Sequence, residues 1–236
     1  MKFKTVDERY LANRKKISEK YGPRELWSVI DHWPLYCGIG NLSRFLAIAD
    51  ILKETLSVPG HVAEFGSWRG ANLMFMAKLL RIYDPLGSKL VHCFDSFEGL
   101  TEFAKQDNQK NPLKGQYKGS LSELKDLIDL YEMQDEIVIH QGIIEKTLPT
   151  VLKEDGALTF SLVYCDTDLY ESTKVILKNL HPRLAKGGIF VFDEWNYSNF
   201  PGEGIAVNEF IKEFADEYEV KHVKQARQPS LFIRKK

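Results

Sequence analysis

Short apolar runs with strand character alternate with segments of helical periodicity along most of this 236-residue chain. Apolar strands that alternate with helices are covered on both faces, so the pattern predicts a mostly parallel sheet between two helical layers. The turn before the last strand is too short for a crossover, and the last two strands are expected to pair antiparallel. The predicted strands are residues 61–65, 89–94, 137–139, 159–165, 189–192, 218–222 and 230–233. The sequence therefore predicts an α/β protein with a seven-stranded, mostly parallel sheet whose last strand is antiparallel.

Charge and composition exclude several classes of protein. The 32 basic and 33 acidic residues nearly cancel, which gives no overall attraction to nucleic acid or to anionic membranes. No apolar run approaches the ~18 residues of a membrane helix, and the charged N-terminus lacks the apolar segment of a secretory signal. Three widely spaced cysteines form neither a disulfide framework nor a zinc site. We therefore expect a cytoplasmic protein with no nucleic-acid partner and no membrane span.

The loop after the first strand carries two glycines, Gly66 and Gly70, at a strand-to-helix turn. Their spacing is G-x-x-x-G rather than the G-x-G-x-x-G of dinucleotide sites. Glu64 beside them would repel a phosphate but accept a hydrogen bond from an ammonium group. Asp95 follows the second strand, where an acidic residue can bind a ribose diol. S-Adenosylmethionine fits this combination better than NAD does.

Acidic pairs follow the fourth and fifth predicted strands, Asp166 with Asp168 and Asp193 with Glu194. Because parallel strands end at the same edge of a sheet, the four carboxylates should converge there. Their mutual repulsion calls for a cation or a shared proton, and oxygen ligands favour a hard cation such as Mg²⁺. N-capping of the next helix by Asp168 is the structural alternative. The alternative enzymatic interpretation is a glycosyltransferase, in which Asp166-Thr167-Asp168 is a D-x-D motif that holds a metal and a sugar nucleotide.

Five motifs of the chain resemble those of the macrocin O-methyltransferase family and occur in the family's order. They are EFGSWRG at 64–70, FDSFEGL at 94–100, TLP at 147–149, DTDLYEST at 166–173 and GGIFVFDE at 187–194. The resemblance implies a Rossmann-like class I methyltransferase fold. It also implies an enzyme that uses S-adenosylmethionine and Mg²⁺ to methylate sugar hydroxyls of natural products.

The resemblance assigns roles to individual residues. Asp166, Asp193 and Glu194 take the metal-ligand positions. The implied cofactor site consists of Glu64, Gly66, Ser67, Arg69, Gly70, Asp95, Ser96, Gly142, Ile143 and Asp166. A bound Mg²⁺ lowers the pKa of the acceptor hydroxyl, and a carboxylate beside it, Asp166 or Asp168, is expected to take the proton.

Two departures from the family pattern bear on this chemistry. The family usually has Asp-Asp-Tyr where this chain has Asp193-Glu194-Trp195. The longer Glu side chain is expected to shift the ion or to admit a different coordination geometry. The related catechol methyltransferases place a lysine base three residues after the first metal Asp, where this chain has Leu169. A lysine base is therefore absent from that position, and the base is one of the carboxylates or His32.

Residues 1–56 are expected to form an N-terminal helical segment and acceptor lid, ahead of an S-adenosylmethionine-binding domain at 57–236. The first 20 residues are predicted to be helical. An aromatic-rich, loop-like segment follows, in which Trp33 and Tyr36 are candidates to stack on a sugar ring. The acceptor is expected to be a small molecule or a sugar-containing compound. The sequence leaves open whether the chain forms a homo-oligomer.

Three other functions are weighed against the methyltransferase. A glycosyltransferase has no need of the glycine loop or of the second acidic pair. A non-catalytic module that binds S-adenosylmethionine has no reason to keep a cluster of uncompensated carboxylates. An NAD dehydrogenase would carry the three-glycine fingerprint, which this chain lacks.

Overall fold

The structure is a computed structural model that describes residues 25–100, 102–108 and 114–236, with Thr5, Glu8, Ala12, Lys15, Glu19 and Lys20. Those six residues near the N-terminus have helical backbone and exposed side chains. The rest of the helix predicted there lies outside the described residues. Within the described ranges, no helix is both long and apolar enough to cross a membrane.

A seven-stranded sheet forms the centre of the molecule and confirms the predicted arrangement. Its strands are β1 (His61–Phe65), β2 (Val91–Asp95), β3 (Ile137–Gln141), β4 (Phe160–Cys165), β5 (Leu184–Phe192), β6 (Tyr218–His222) and β7 (Leu231–Lys235). They lie in the order β3-β2-β1-β4-β5-β7-β6. β7 is antiparallel to β5 and β6, whereas the pairs among β1 to β5 are parallel. The strand order reverses between β1 and β4, which places a crevice for ligands at their carboxyl ends.

The helices pack on both faces of this sheet. They are α1 (Leu26–Asp31), α2 (Trp33–Tyr36), α3 (Ile39–Glu54), α4 (Ala71–Tyr83), α5 (Leu121–Leu130), α6 (Ile144–Glu154), α7 (Tyr170–Leu180) and α8 (Pro201–Glu213). Alternate residues of each strand point to opposite sides. Val62 and Leu162 join an apolar cluster with α3, α4 and α5, while Ala63 and Val163 join a second cluster with α6, α7 and α8.

Element boundaries differ from the prediction where glycine and proline are involved. β5 begins at Leu184, well before Gly187, which the sequence placed in a turn ahead of the strand. Gly187 has φ +82°, and the pairing of β4 with β5 is irregular, so the strand continues through a distortion. α8 begins at Pro201 because proline is favoured in the first turn of a helix. The aromatic segment predicted as a loop forms α1 and α2.

Candidate active site

A cavity of about 300 Å³ lies at the carboxyl ends of β1, β2, β4 and β5. The predicted site residues in its lining are Gly66, Asp95, Ser96, Gly142, Ile143, Asp166, Asp168, Asp193 and Glu194. The lining also includes residues that the sequence did not single out, namely Arg44, Tyr117, Phe200, Arg227 and Gln228. The cavity therefore lies where the strand order predicted a ligand site.

Gly66 follows β1 in a backbone conformation that favours glycine. Its φ is +85°, and a Cβ atom there would lie 1.9 Å from the carbonyl oxygen of Asp166. The loops after β1 and β4 can approach this closely because Gly66 has no side chain. Gly70, with φ +79°, then leads into α4.

Asp95 ends β2 and organises the glycine loop. Its Oδ2 accepts a hydrogen bond from the backbone N–H of Trp68 at 2.8 Å, and its Oδ1 accepts one from Phe97 at 2.6 Å. Burial raises the pKa of this carboxyl, and the N–H groups oppose that rise. A carboxylate offers about four acceptor positions. Asp95 can therefore hold the loop and still accept hydrogen bonds from a ligand diol.

Glu64 lies behind the glycine loop. It is 1% exposed, and burial raises its pKa to about 7. Among the residues that the structure describes, its Oε2 has no hydrogen-bond partner. A buried acceptor without a partner is uncommon. Glu64 itself lies outside the cavity lining drawn from the described residues.

The other predicted cofactor residues of this loop lie outside the cavity lining drawn from the described ranges. Ser67 is buried, and its Oγ accepts a hydrogen bond from the thiol of Cys93 at 3.2 Å. Arg69 is exposed, with its guanidinium 5.1 Å from the ring centre of Trp68. Gly70 is buried against α5, where a Cβ atom would lie 2.5 Å from Leu124.

Gly142 and Ile143 follow β3 and form one side of the cavity. The N–H of Gly142 donates to the carbonyl oxygen of Asp95 at 2.9 Å, which connects this loop to the end of β2. Ile143 is 39% exposed although it lines the cavity, so its apolar surface is open to a ligand. Such a surface suits a flat aromatic ring, for example adenine.

The predicted acidic cluster is present at the ends of β4 and β5. One oxygen each of Asp166, Asp168 and Glu194 lies within 4.8 Å of the others, a spacing that could hold a metal ion. Burial and the Asp193 carboxylate raise the pKa of Asp166 well above its usual range. The same two causes raise the pKa of Asp168 to about 7 and that of Glu194 to about 9. All donors are oxygens, which fits a hard divalent cation.

Asp168 does not cap the helix that follows it, so the capping alternative is wrong. The N-cap of α7 is Leu169, which makes no side-chain cap hydrogen bond. The N–H of Tyr170 instead donates to Oδ1 of Asp107 at 3.0 Å, from the segment after β2. The Asp168 carboxylate instead belongs to the acidic cluster. Its backbone is in the left-handed region, with φ +63°.

The carboxylate of Asp193 is not among the three clustered oxygens, and it contacts Tyr164 and Arg44. It is 1% exposed and accepts a hydrogen bond from the Tyr164 hydroxyl at 2.6 Å. Its Oδ2 also forms an ion pair with Nη2 of Arg44 at 2.5 Å, and the same Nη2 donates to Oδ2 of Asp166 at 3.2 Å. No sequence motif pointed to Arg44, and its one signal in the sequence is a charge among the apolar positions of α3.

Two further groups support Glu194, and no sequence motif pointed to them. Glu203 of α8 is fully buried, and its Oε1 accepts a hydrogen bond from the N–H of Glu194 at 2.7 Å. Burial raises the pKa of Glu203 well above its usual range. Gln228, from the turn between β6 and β7, donates through Nε2 to Oε1 of Glu194.

Aromatic side chains form a further part of the cavity lining. The Trp68 ring meets the Tyr117 ring edge-on, with centres 5.7 Å apart. The Tyr117 ring lies 6.3 Å from that of Phe200, which lies 6.0 Å from the Tyr197 ring. We call these four residues the aromatic wall. Trp68 and Tyr117 are each 44% exposed, so the wall offers open ring surface beside the acidic cluster.

The aromatic residues of the N-terminal segment are placed differently. Neither Trp33 nor Tyr36 belongs to the cavity lining found among the described residues. Trp33 is 46% exposed. His32, the alternative base, is exposed as well, and its Nδ1 lies 2.9 Å from the carbonyl oxygen of Ser28.

The strand order and the cavity at the strand ends define a class I methyltransferase fold, as the sequence predicted. The structure is similar to the crystal structure of CalS11, a calicheamicin methyltransferase, with a TM-score of 0.84 and 25% sequence identity. The alignment covers 97% of this chain and 92% of CalS11.

Sequence comparison then identifies the family. The family model for macrocin O-methyltransferase (TylF) matches residues 16–227. The chain therefore belongs to the macrocin O-methyltransferase family, as its motifs indicated.

Two relatives are each 31% identical to the chain. One is the demethyldecarbamoylnovobiocin O-methyltransferase of Streptomyces niveus, aligned over 68% of this chain and 62% of that protein. The other is the 8-demethyl-8-(2,3-dimethoxy-α-L-rhamnosyl)-tetracenomycin-C 4'-O-methyltransferase of Streptomyces olivaceus, aligned over 58% of this chain and 54% of that protein. The chain thus spans less than two thirds of the length of these curated relatives.

Proposed function

We propose that this chain transfers a methyl group from S-adenosylmethionine to a hydroxyl of a sugar-containing acceptor, assisted by a divalent cation such as Mg²⁺. The observation that carries the proposal is that the oxygen cluster of Asp166, Asp168 and Glu194 shares one cavity with the glycine loop. Membership of the family supports methyl transfer, and the rhamnosyl group in the name of the Streptomyces olivaceus relative supports an acceptor that carries a sugar.

The cofactor is proposed to lie along the loops after β1, β2 and β3. Gly66 allows close approach of a ligand to the backbone, and Asp95 with Ser96 faces the ribose. Gly142 and Ile143 offer the surface for adenine. Glu64 lies behind the loop and outside the described lining. It is the proposed partner of the amino group of the methionine part, through Oε2, which has no partner among the described residues. Ser67, Arg69 and Gly70 act on the shape of the loop from outside the cavity lining.

The cation is proposed to bind at the acidic cluster, with Asp166 and Glu194 from the clustered oxygens as two ligands. The third proposed ligand is Asp193, whose carboxylate is paired with Arg44 in the metal-free protein. When bound, a divalent ion there lowers the pKa of a coordinated hydroxyl. Asp166 and Asp168 are the proposed proton acceptors. Asp168 lines the cavity beside Asp166 and Glu194, so its carboxylate lies close enough to the proposed ion to take the proton of a coordinated hydroxyl. His32 is exposed and outside the lining, which favours the carboxylates over it.

The acceptor is proposed to rest on the aromatic wall, with its hydroxyl turned to the acidic cluster. Aromatic rings bind the apolar faces of sugars and of aromatic aglycones. Residues 1–56 are proposed to cover this side of the cavity as a lid. Within the described part of that segment, Arg44 of α3 is the residue that enters the cavity lining.

Isothermal titration calorimetry tests the donor part of this proposal. S-Adenosylmethionine should bind the protein in the presence of Mg²⁺, while UDP-glucose as the comparison ligand should not. Ile143→Ala should weaken that binding about tenfold, because roughly 1–2 kcal/mol of apolar contact is lost. Ile205→Ala is the matched control, since Ile205 is 36% exposed and not among the described lining residues. Binding of UDP-glucose without S-adenosylmethionine would favour the glycosyltransferase instead.

A further inference from the structure

Arg44 of α3 connects the N-terminal segment to the acidic cluster. Its Nη2 lies 2.5 Å from Oδ2 of Asp193 and 3.2 Å from Oδ2 of Asp166. The Arg44 side chain is 26% exposed, while those of Asp193 and Asp166 are 1% and 22% exposed. One guanidinium therefore pairs with carboxylates from the ends of two different strands in a largely enclosed place.

The charges around Arg44 make this contact energetically important. Asp166, Asp168, Asp193 and Glu194 line the same small cavity, and like charges in a partly buried site repel one another strongly. Removing one partner of a buried ion pair leaves an uncompensated charge and is strongly destabilising. A guanidinium is suited to this position because its planar fork can meet two carboxylates at once.

We propose that Arg44 is a resident counter-cation, which holds Asp193 and Asp166 together and fixes them to α3 in the absence of a metal ion. Arg44 is then a positioning residue for the acidic cluster. Without its charge, the cluster depends on a divalent ion to remain assembled. The proposal concerns the metal-free protein, so it stands or falls separately from the methyltransferase function.

Thermal unfolding at neutral pH, in EDTA and in MgCl₂, tests this role. In EDTA, Arg44→Met should lower Tm by about 4–10 °C, because it leaves the Asp193 carboxylate unpaired. Arg44→Lys should lose less, since it keeps the charge but not the fork. Lys221→Met is the control, because it removes a charge from the exposed ion pair with Glu219, which has an N–O distance of 3.1 Å.

Two comparisons distinguish a counter-cation from a side chain that only fills space. The Tm of the double variant Arg44→Met/Asp193→Asn should fall by less than the sum of the two single decreases. Each single change leaves the other partner's charge unpaired, whereas the double variant has no unpaired charge from this pair. MgCl₂ should raise the Tm of Arg44→Met by more than it raises that of the wild type. If Mg²⁺ binds nowhere in the protein, the EDTA measurements still decide the proposal, and calorimetry decides the proposed function.

The contrary results are equally specific. Arg44→Met that melts in EDTA at the temperature of Lys221→Met would overturn the proposal, as would additive losses in the double variant. If Arg44→Met yields no folded protein in EDTA, recovery of folded protein by Asp193→Asn or by MgCl₂ supports the proposal. Failure of both to recover it shows that the residue acts through packing alone.

Discussion

Individual residues determine how closely the loops around the cavity approach one another. Gly66 has φ +85°, and a Cβ atom there would overlap the backbone of Asp166. Gly115 has a similar φ of +78°, but a Cβ atom there would meet no atom of the described residues within 4 Å. An alanine at either position would have the same left-handed strain, and only at position 66 would its Cβ also overlap neighbouring backbone. The two substitutions therefore form a matched pair.

We predict that Gly66→Ala lowers the free energy of unfolding by about 2–5 kcal/mol, the sum of left-handed strain and overpacking. Gly115→Ala should lower the free energy of unfolding by about 1–2 kcal/mol, from left-handed backbone strain alone. Urea unfolding of both variants measures the difference. Equal losses would show that the loops after β1 and β4 can separate without cost.

The sequence predicted the acidic side chains of the site better than their partners. Asp95, Asp166 and Glu194 each follow an apolar strand, and a strand end fixes the position of a side chain. Arg44 and Glu203 lie on helices distant in sequence. Their meeting depends on how those helices pack, which no local spacing encodes.

At the scale of elements, three histidines connect β1, β2 and β3. His92 is 6% exposed, and its Nδ1 lies 2.9 Å from Nε2 of His140 on the next strand. The ring of His61 lies 5.3 Å from that of His92. Burial lowers the pKa of His92 to about 4, and the neighbouring His140 adds to this effect.

Acid should therefore weaken this part of the sheet. The folded protein holds His92 with a pKa of about 4, against 6.5 for the ordinary group. Protonation thus favours the unfolded chain. The contribution of His92 to the free energy of unfolding is present above pH 6.5 and is lost as the pH falls towards 4. The loss amounts to about 2–3 kcal/mol.

Chemical unfolding of His92→Phe at several pH values checks this prediction. The variant should lose less stability than the wild type between pH 6.5 and 4. Buried carboxyls with raised pKa values, such as Glu64, act in the opposite direction, so the comparison is between variants. His32→Phe is the control because His32 is exposed. Parallel curves for His92→Phe and the wild type would contradict the prediction.

Element boundaries were predicted well wherever periodicity alone decides them. The strands predicted at 61–65 and 218–222 coincide with β1 and β6. The aromatic segment was harder, because α1 and α2 are too short to show a helical period. The start of β5 was missed because Gly187 is typical of a turn but lies within the strand.

At the scale of the whole molecule, the alternation of strands and helices was enough to predict the layers and the direction of the last strand. The position of the cavity followed from the strand order, since ligands bind at the carboxyl ends where that order reverses. The aromatic wall could not be derived in this way. Tyr117 and Phe200 come from the segments after β2 and β5, and loop residues meet only in the folded chain.

The central claim is that one cavity holds both the methyl donor and a divalent cation. Crystals grown with S-adenosylhomocysteine and Mn²⁺, measured at the manganese absorption edge, test it most directly. We predict an anomalous peak among the carboxylates of Asp166, Asp193 and Glu194, and S-adenosylhomocysteine along the loop at Gly66 in the same cavity. A cofactor bound there with no manganese at the cluster would contradict the role of the cation. Manganese at the cluster with no cofactor at the glycine loop would contradict the methyltransferase assignment.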